Sequence, residues 1–428
     1  MSLTEGQDVA LQIDKPVPGG RMIARHEGQV VLVRGAIPGE RVVARVERAE
    51  KRMAYAVVRD VVEASADRRP AFDDPLCGGA LYSHIAYGRQ LAIKSDVIRD
   101  AFTRLGKHPL EAPIEVAASP EEGYRVRARF HVHGAHAGFY REGTHQLCDA
   151  ASARQLGAAA VDAVRTLAQE LHRLAPAAAT EIAIAENLAA TERAAHVELA
   201  PGSQLSEHDL EHAREAAALR GISARDMTSG APLMAGSPVV DDPLVDVTAG
   251  RVAEGALRRH AESFFQGNRF LIGTLVSSVV DAVPHDGEIV DLYAGVGLFS
   301  VALAGVGRAE VTAVEGDRSS GADLRENARP YAPRLVARVA RVEDYLASRR
   351  KPPSAIILDP PRTGVSQPAM AALIRVGAPL LVYVSCDPPT LARDARRLFD
   401  AGYRLEGLRA FDLFPNTPHV EALAVFGK

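Results

Sequence analysis

The sequence predicts an α/β protein with a doubly wound C-terminal sheet, preceded by a small β-barrel and a central α+β region. From residue 264 onward, strands that are apolar throughout, such as EIVDLYAG and APLLVYVSC, alternate with helical stretches, which is typical of a sheet covered by helices on both faces. Between residues 9 and 62, short runs with period-two alternation are separated by Gly and Pro, as in a closed barrel. We therefore predict three domains, at residues 1–63, 64–262 and 263–428.

Composition narrows the class of protein. Three cysteines in 428 residues exclude a disulfide framework, and no apolar run approaches the ~20 residues that span a bilayer. The acidic, polar start MSLTEGQDVALQIDK is unlike a signal peptide. The sequence thus predicts a cytoplasmic protein without membrane association. Because the net charge is −4, nucleic-acid binding would require local basic patches.

The predicted barrel carries one such patch. Basic side chains cluster along its last strands, namely Arg41, Arg45, Arg48, Lys51 and Arg52. Two interpretations remain open: a solvated strand face, or the nucleic-acid contact surface of an OB-like barrel.

The central region has a second basic pattern. The run YRVRARFHVH reads as a strand in which Arg125, Arg127 and Arg129 project from one face and the residues between them are apolar. Three guanidiniums on one face repel one another unless an anion is present, so we favour RNA phosphate contacts over a solvated face. A helix near 85–106, ended by Gly106, is a candidate to pack on the C-terminal domain.

The C-terminal domain begins with a glycine-rich motif, DLYAGVGLFS, between a strand and a helix. Gly295 and Gly297 allow a ligand to approach the backbone at a helix N-terminus. Ser300 stands where a dinucleotide fingerprint has its third glycine. Glu315, at the end of the next strand, suits the hydroxyls of a ribose. Together they predict an adenosine cofactor without a pyrophosphate, S-adenosyl-methionine; turn glycines and a surface acid are the alternatives.

Three later motifs place reactive groups at strand ends. In LDPPR the prolines stiffen the loop that holds Asp359, although helix capping would also explain this aspartate. Cys386 ends the strand PLLVYVS just before a helix, where a helix N-terminus lowers a thiol pKa; an inert buried cysteine is the alternative. Glu421 is the one acid in the apolar run VEALAVF, and burial that raised its pKa would suit proton transfer; an edge-strand charge is the alternative.

The set SFFQGN, DLYAGVGLFS, VEG, LDPPRTG, VSCDPPTLARD and LFPNTPHVEALAVF resembles the RNA 5-methyluridine methyltransferases, in the branch that carries a TRAM barrel. The resemblance implies a class I, Rossmann-like S-adenosyl-methionine-dependent methyltransferase domain at 263–428, a TRAM barrel at 1–63 and an RNA-binding central domain. It implies methylation of carbon 5 of a uridine, with ribosomal RNA as the favoured substrate and transfer RNA as the alternative. By resemblance, Cys386 is the nucleophile, Glu421 is the base, and the contacts to cofactor or target are Gln266, Tyr293, Glu315 and Asp359.

One departure concerns an iron–sulfur cluster that many members hold with four cysteines. Here the stretch DDPLCGGALYSH keeps Cys77 but has Ala80 at the next ligand position, and Cys148 matches the last ligand. Two thiolates cannot hold a cluster that needs four cysteines, so we predict that the cluster is absent and that the chain has no metal site.

Two rival functions remain. DPPR is also a signature of exocyclic-amine methylation, which would make Cys386 incidental. An RNA-binding protein with a degenerate methyltransferase fold would bind no cofactor. In either case we expect a monomer with RNA as its partner.

Overall fold

The structure is a computed structural model that describes residues 3–226, 230, 232–308 and 310–428. Its first unit is a closed five-stranded barrel with strand order β1-β2-β3-β5-β4. Alternate side chains such as Val9, Leu11 and Ile13 point inward, which is the alternation that predicted the barrel. The strands are β1 (Asp8–Pro16), β2 (Met22–His26), β3 (Gln29–Arg34), β4 (Arg41–Ala49) and β5 (Met53–Glu63).

The next stretch contributes to the C-terminal domain. It holds α1 (Tyr87–Arg104) and β6 (Val116–Ala117). The apolar side of α1, including Ile98 and Phe102, is buried in the hydrophobic core of the C-terminal sheet, and β6 is the last strand of that sheet. These elements lie inside the range 64–262 that the sequence assigned to the central domain, and α1 is the helix near 85–106 that was a candidate to pack on the C-terminal domain.

The central region is built on a seven-stranded sheet of order β13-β12-β11-β10-β7-β8-β9. Helices α2 and α3 cover one face, where Leu167 and Leu210 share a core with Phe130 and Val197. A capping box begins α3, because Ser206 caps the helix together with Asp209. The elements are β7 (Arg127–His133), β8 (His136–Tyr140), β9 (Leu147–Asp149), α2 (Ala158–Leu174), β10 (Ala179–Glu186), β11 (Arg193–Leu199), α3 (Glu207–Ala216), β12 (Gly221–Asp226) and β13 (Pro232–Gly236).

A hairpin connects the central sheet to the C-terminal domain. It consists of β14 (Val239–Pro243), α4 (Leu244–Val247) and β15 (Ala256–His260), and a buried ion pair of 2.8 Å joins Arg259 to Asp242. Leu244 and Leu257 belong to the C-terminal hydrophobic core, so that domain recruits residues well before position 263.

The C-terminal domain is a doubly wound sheet of order β18-β17-β16-β19-β20-β22-β21-β6. The first five strands are parallel, and β22 is antiparallel to both of its neighbours. This confirms the predicted fold class. The elements are α5 (Ile272–Ala282), β16 (Glu288–Leu292), α6 (Leu298–Gly305), β17 (Glu310–Glu315), α7 (Arg318–Ala328), β18 (Leu335–Val339), α8 (Val342–Ser348), β19 (Ala355–Leu358), α9 (Gln367–Val376), β20 (Leu380–Ser385), α10 (Pro388–Asp400), β21 (Arg404–Phe411) and β22 (Glu421–Gly427). Within the described residues, every helix is too short or too polar to cross a membrane.

Candidate active site

The parallel strands of the C-terminal sheet end at one edge, and the predicted site residues lie along it. Tyr293 follows β16, Glu315 ends β17, Asp359 follows β19 and Cys386 follows β20. Since β22 runs antiparallel to β20, it begins at this same edge, and the strand register places Glu421 beside Cys386. Ligands of open α/β sheets bind at this edge.

The loop between β16 and α6 has room for a ligand. Gly295 has a φ of +56° and Gly297 a φ of +96°, a region that side chains with a Cβ disfavour. A Cβ on Gly297 would lie 2.9 Å from Leu324 Cδ1, whereas a Cβ on Gly295 would meet nothing within 4 Å. Tyr293 also has a positive φ, of +62°; such strain in a non-glycine residue clusters at ligand sites.

Behind this loop lies a buried carboxyl group. Asp291 Oδ2 accepts a hydrogen bond from the backbone N–H of Ser300 at 3.1 Å. Its Oδ1 and the hydroxyl of Ser300 make no hydrogen bond with any described residue. Burial raises the pKa of Asp291 to about 8. Unsatisfied polar atoms beside an open glycine loop fit a polar small molecule.

Glu315 is held at the neighbouring strand end. Its carboxylate accepts hydrogen bonds from the backbone N–H groups of Gly295 at 2.8 Å and Asp317 at 2.6 Å. Each carboxylate oxygen keeps a lone pair after one such bond, so Glu315 can also accept from both hydroxyls of a ribose. Burial raises its pKa. The open loop and this carboxylate fit the adenosyl group that the sequence predicted.

Asp359 and Gln266 form a pair. Gln266 Nε2 donates to Asp359 Oδ2 over 2.9 Å, and Gln266 is only 5% exposed. Burial raises the pKa of Asp359 to about 7. The neighbouring Gly267 is required by close packing, because a Cβ there would lie 2.7 Å from the ring of Phe414. The structure thus brings the segment 264–267 to the same edge as the loop after β19.

The pKa of the Cys386 thiol differs from the value that the sequence predicted. Cys386 directly precedes Asp387, the N-cap of α10, as predicted. Its pKa, however, is raised to about 12 by burial and by the carboxyl groups of Glu421 and Asp359, with Arg362 opposing them. The expected lowering by the helix N-terminus is therefore wrong for this structure, since burial and two acidic neighbours outweigh a partial charge.

Glu421 is buried, with 2% exposure. Burial raises its pKa well above the usual range, as does the charge of Asp359, while Arg362 opposes the shift. The expectation of a raised pKa at Glu421 is confirmed. The carboxyl groups of Asp359 and Glu421 therefore both raise the pKa of Cys386, and Asp359 also raises the pKa of Glu421.

Sequence reasoning passed over Arg362, although it stands in the DPPR motif. It is the cation that opposes the upward pKa shifts of both Cys386 and Glu421. Its loop is fixed to α10 because the Thr390 hydroxyl donates to the carbonyl of Arg362 at 3.0 Å and Arg393 donates to the carbonyl of Thr363 at 2.8 Å. The available signal was an arginine three residues after the predicted Asp359 in the same motif.

Helix α1 holds the loop that leads into Glu421. Lys94 and Asp412 form an ion pair and are both at most 1% exposed. The side chain of Gln90 donates to Asn416 Oδ1 and accepts from its backbone N–H, each over 2.9 Å. The position of the proposed base thus depends on an element near residue 90.

The three central arginines lie on one face but differ in exposure. Arg125 lies between the rings of Phe139 and Phe414, 5.4 and 5.5 Å from their centroids. Arg127 donates to the backbone carbonyl of residue 262 over 3.1 Å. Arg129 is 48% exposed and 3.3 Å from an oxygen of Glu181. Their assignment to RNA stays a prediction, and Arg129 is the most accessible of the three.

The basic patch of the barrel is largely paired with acids. Arg41 lies 2.6 Å from Glu63, Arg45 lies 2.8 Å from Asp8 and Arg48 lies 3.1 Å from Glu50. All of these side chains are at least 40% exposed, so both earlier interpretations of the patch are compatible with this geometry.

The two remaining cysteines of the cluster region meet each other. Cys77 and Cys148 form a disulfide across 71 residues. They lie in a small core with Ala80 and Ala153, against Phe72 and Phe139. This packing accommodates the alanine at the former ligand position, and the absence of a cluster stays a prediction.

Comparison with known proteins identifies the family to which the chain belongs. The profile of the TRAM domain matches residues 2–58, and that of tRNA (uracil-5-)-methyltransferase matches residues 337–428. The chain is similar to an uncharacterized RNA methyltransferase of Streptomyces coelicolor, with 33% identity over 98% of this chain and 93% of that one. It is also 33% identical to the 23S rRNA (uracil(1939)-C(5))-methyltransferase of Halomonas elongata, over 94% of this chain and 86% of that one.

A solved structure shows the same fold. The Pyrococcus abyssi tRNA (uracil-54, C5)-methyltransferase in complex with S-adenosyl-L-homocysteine matches with a TM-score of 0.75 and 23% identity, covering 97% of this chain and 99% of that one. With the sequence relatives and both matched profiles, the conclusion is direct: the chain belongs to the tRNA (uracil-5-)-methyltransferase family and is a TRAM-bearing, S-adenosyl-methionine-dependent RNA uracil-C5 methyltransferase.

Proposed function

We propose that this chain methylates a uridine of 23S ribosomal RNA through a covalent bond between Cys386 and the uracil ring. The observation that carries the mechanism is the placement of Cys386 beside Glu421 across β20 and β22, at the edge that also holds Asp359. A nucleophile and a buried acid that share one edge of the sheet can act on the two neighbouring carbons of a single ring.

Cys386 makes carbon 5 reactive. Its sulfur, as the thiolate, bonds to carbon 6 of uracil, and the electrons of the carbon 5–carbon 6 double bond move onto carbon 5 and oxygen 4 as an enolate. The thiol must first lose its proton, which the raised pKa opposes. Arg362, the nearby cation, lowers that pKa and so favours the attacking form.

S-adenosyl-methionine, when bound, supplies an electrophilic methyl group to carbon 5. The residues that fit it are Gly295, Gly297 and Glu315, with Tyr293 and Asp359 at the adjoining strand ends. Gln266 is hydrogen-bonded to Asp359, so it is placed to orient either the cofactor or the uracil edge.

Glu421 completes the cycle. As the carboxylate it removes the proton of carbon 5, the double bond to carbon 6 re-forms, and the bond from carbon 6 to the Cys386 sulfur breaks with release of the thiolate. Its raised pKa makes the ionised group a stronger base.

Ribosomal RNA is favoured as the substrate. Relatives of 30–33% identity are named 23S rRNA (uracil(1939)-C(5))-methyltransferases and match across at least 94% of this chain, whereas the transfer-RNA enzyme shares 23% identity. The target base must leave its stack to reach the edge of the sheet. Arg129 and the TRAM barrel would contact the RNA backbone. We also infer that the protein is a monomer and acts in the cytoplasm.

Mapping 5-methyluridine in RNA from a deletion strain tests the substrate. We expect one or more 23S uridines to lose the methyl group and a plasmid-borne wild-type gene to restore it. Loss confined to transfer RNA would contradict the ribosomal assignment.

The variant Cys386→Ala tests the covalent step. We expect methylation of RNA to be abolished while calorimetry shows nearly unchanged binding of S-adenosyl-methionine, because the thiol acts on the base. Retained turnover would instead support exocyclic-amine methylation through the DPPR loop.

The variant Glu421→Gln tests the base. Because elimination needs the carbon 5 proton removed, we expect a protein–RNA adduct that survives denaturation, and no adduct when Cys386→Ala is added. Normal turnover without an adduct would leave Asp359 as the alternative base.

A further inference from the structure

A second cluster of polar side chains lies outside the proposed mechanism. His196 and Glu198 lie on β11, and Glu262 follows β15. One nitrogen or oxygen of each residue lies within 4.8 Å of those of the other two. His196 is only 3% exposed, so this cluster reaches into the protein.

One ring nitrogen of His196 makes no hydrogen bond within the part of the chain that the structure describes. Nδ1 lies 2.8 Å from the hydroxyl of Ser223, whereas the buried Nε2 makes no hydrogen bond with any described residue. A neutral imidazole ring has one protonated nitrogen and one lone pair. In the tautomer whose Nδ1 carries the proton and donates to Ser223, the lone pair lies on Nε2.

This lone pair faces a carboxylate. Nε2 of His196 lies 3.5 Å from Glu198 Oε1, and the other oxygen of Glu198, which is also buried, makes no hydrogen bond with a described residue. Acceptors that face each other inside a protein are unfavourable unless a cation or proton lies between them.

Arg225 forms ion pairs with the two carboxylates but makes no hydrogen bond with Nε2 of His196. Its Nη2 lies 2.8 Å from Glu198 Oε1 and 2.8 Å from Glu262 Oε1. The arginine is 43% exposed, so it joins the carboxylates at the solvent side of the cluster. Groups that orient ligands from behind are usual at metal sites. When the histidine is neutral, the two carboxylates and the one guanidinium give the cluster a net charge of −1.

We propose that His196, Glu198 and Glu262 bind one Zn²⁺ ion. An imidazole nitrogen and two carboxylate oxygens form a donor set that Zn²⁺ accepts, with water as the fourth ligand. The ion would fasten Glu262 to the central sheet, four residues before Gln266, and the carbonyl of Glu262 already accepts from Arg127. The site therefore stabilises the segment that delivers Gln266. The sequence predicted no metal site, and titration with Zn²⁺ tests these two alternatives.

Calorimetric titration of Zn²⁺ into the chelator-treated full chain tests the proposal. We expect one ion per chain, with the affinity reduced at least ~100-fold in His196→Gln and in Glu262→Gln. His131→Gln is the matched control: this ring also lies beside a glutamate of the same sheet, 3.3 Å from Glu181, but it is 35% exposed. Its affinity for Zn²⁺ should equal that of the wild type.

Hydrogen exchange supplies a readout independent of activity. Zn²⁺ should slow exchange in residues 260–267 of the wild type and of His131→Gln, but not of Glu262→Gln. If Zn²⁺ does not bind, the proposal is wrong. It is also wrong if His131→Gln abolishes binding while His196→Gln retains it, because the ion would then bind at a surface histidine. If His196→Gln does not fold, Glu262→Gln decides, because that side chain is 23% exposed.

Discussion

Alkylation of Cys386 measures how strongly the site suppresses its thiolate. The other two cysteines are joined in a disulfide, so iodoacetamide reports on this thiol alone. With the pKa raised to about 12, roughly one molecule in 10,000 carries the thiolate at about pH 8, against about a quarter of an ordinary cysteine with a pKa of ~8.5.

The expected rate follows from two opposing effects. The thiolate population falls roughly 2,000-fold, whereas a thiolate of higher pKa is intrinsically more nucleophilic by about 40-fold for a Brønsted coefficient of ~0.45. Alkylation should therefore be about 60-fold slower than that of glutathione at about pH 8, before any steric hindrance. Because the pKa lies far above this pH, the rate should increase about tenfold per pH unit without a plateau near pH 8.5.

Mass spectrometry of the alkylated peptide gives the rate, and two variants give its cause. Arg362→Gln should slow the reaction further because it removes the cation that lowers the thiol pKa. Glu421→Gln should accelerate it because it removes an opposing carboxyl group. A wild-type rate equal to that of glutathione, with a plateau near pH 8.5, would refute the reasoning.

Three further outcomes are expected. Replacing Cys148 by Ser opens a disulfide that spans 71 residues and should lower the free energy of unfolding by about 4 kcal/mol in the chain-entropy picture, as measured by urea denaturation against oxidised wild type. Lys94→Met leaves the buried Asp412 unpaired and should cost about 3–5 kcal/mol, part of which Asp412→Leu should restore in the double variant. Protein purified anaerobically should contain far less than one iron–sulfur cluster per chain, and stoichiometric iron with a broad visible absorption band would contradict this.

The convergence of the site could be predicted from the sequence. Parallel strands share one carboxyl edge, so the positions of Glu315, Asp359 and Cys386 after apolar strands were enough to bring them together. Glu421 was recognisable because a single acid in an apolar run is costly without a function. These inferences use local pattern and strand geometry, which the sequence contains.

Long-range packing could not be predicted from the sequence. Period two placed Arg125 and Arg127 on one face correctly, but it could not show that Phe139 and Phe414 enclose the first guanidinium. The pKa of Cys386 was also misjudged, because the helix N-terminus is visible in the sequence whereas burial and the approach of Glu421 arise only on folding.

The pairing of β6 with β21 has a consequence for biosynthesis. Val116 lies opposite Ala410, so β6 cannot pair with β21 until roughly 300 further residues have been translated. This takes about 15–60 s at 5–20 residues per second. Until then the apolar side of α1 lacks α10, the helix against which it packs. The TRAM barrel, whose five strands end by residue 63, can fold during this interval. The order of synthesis thus produces the TRAM barrel first and a complete catalytic sheet only after the last strand is released.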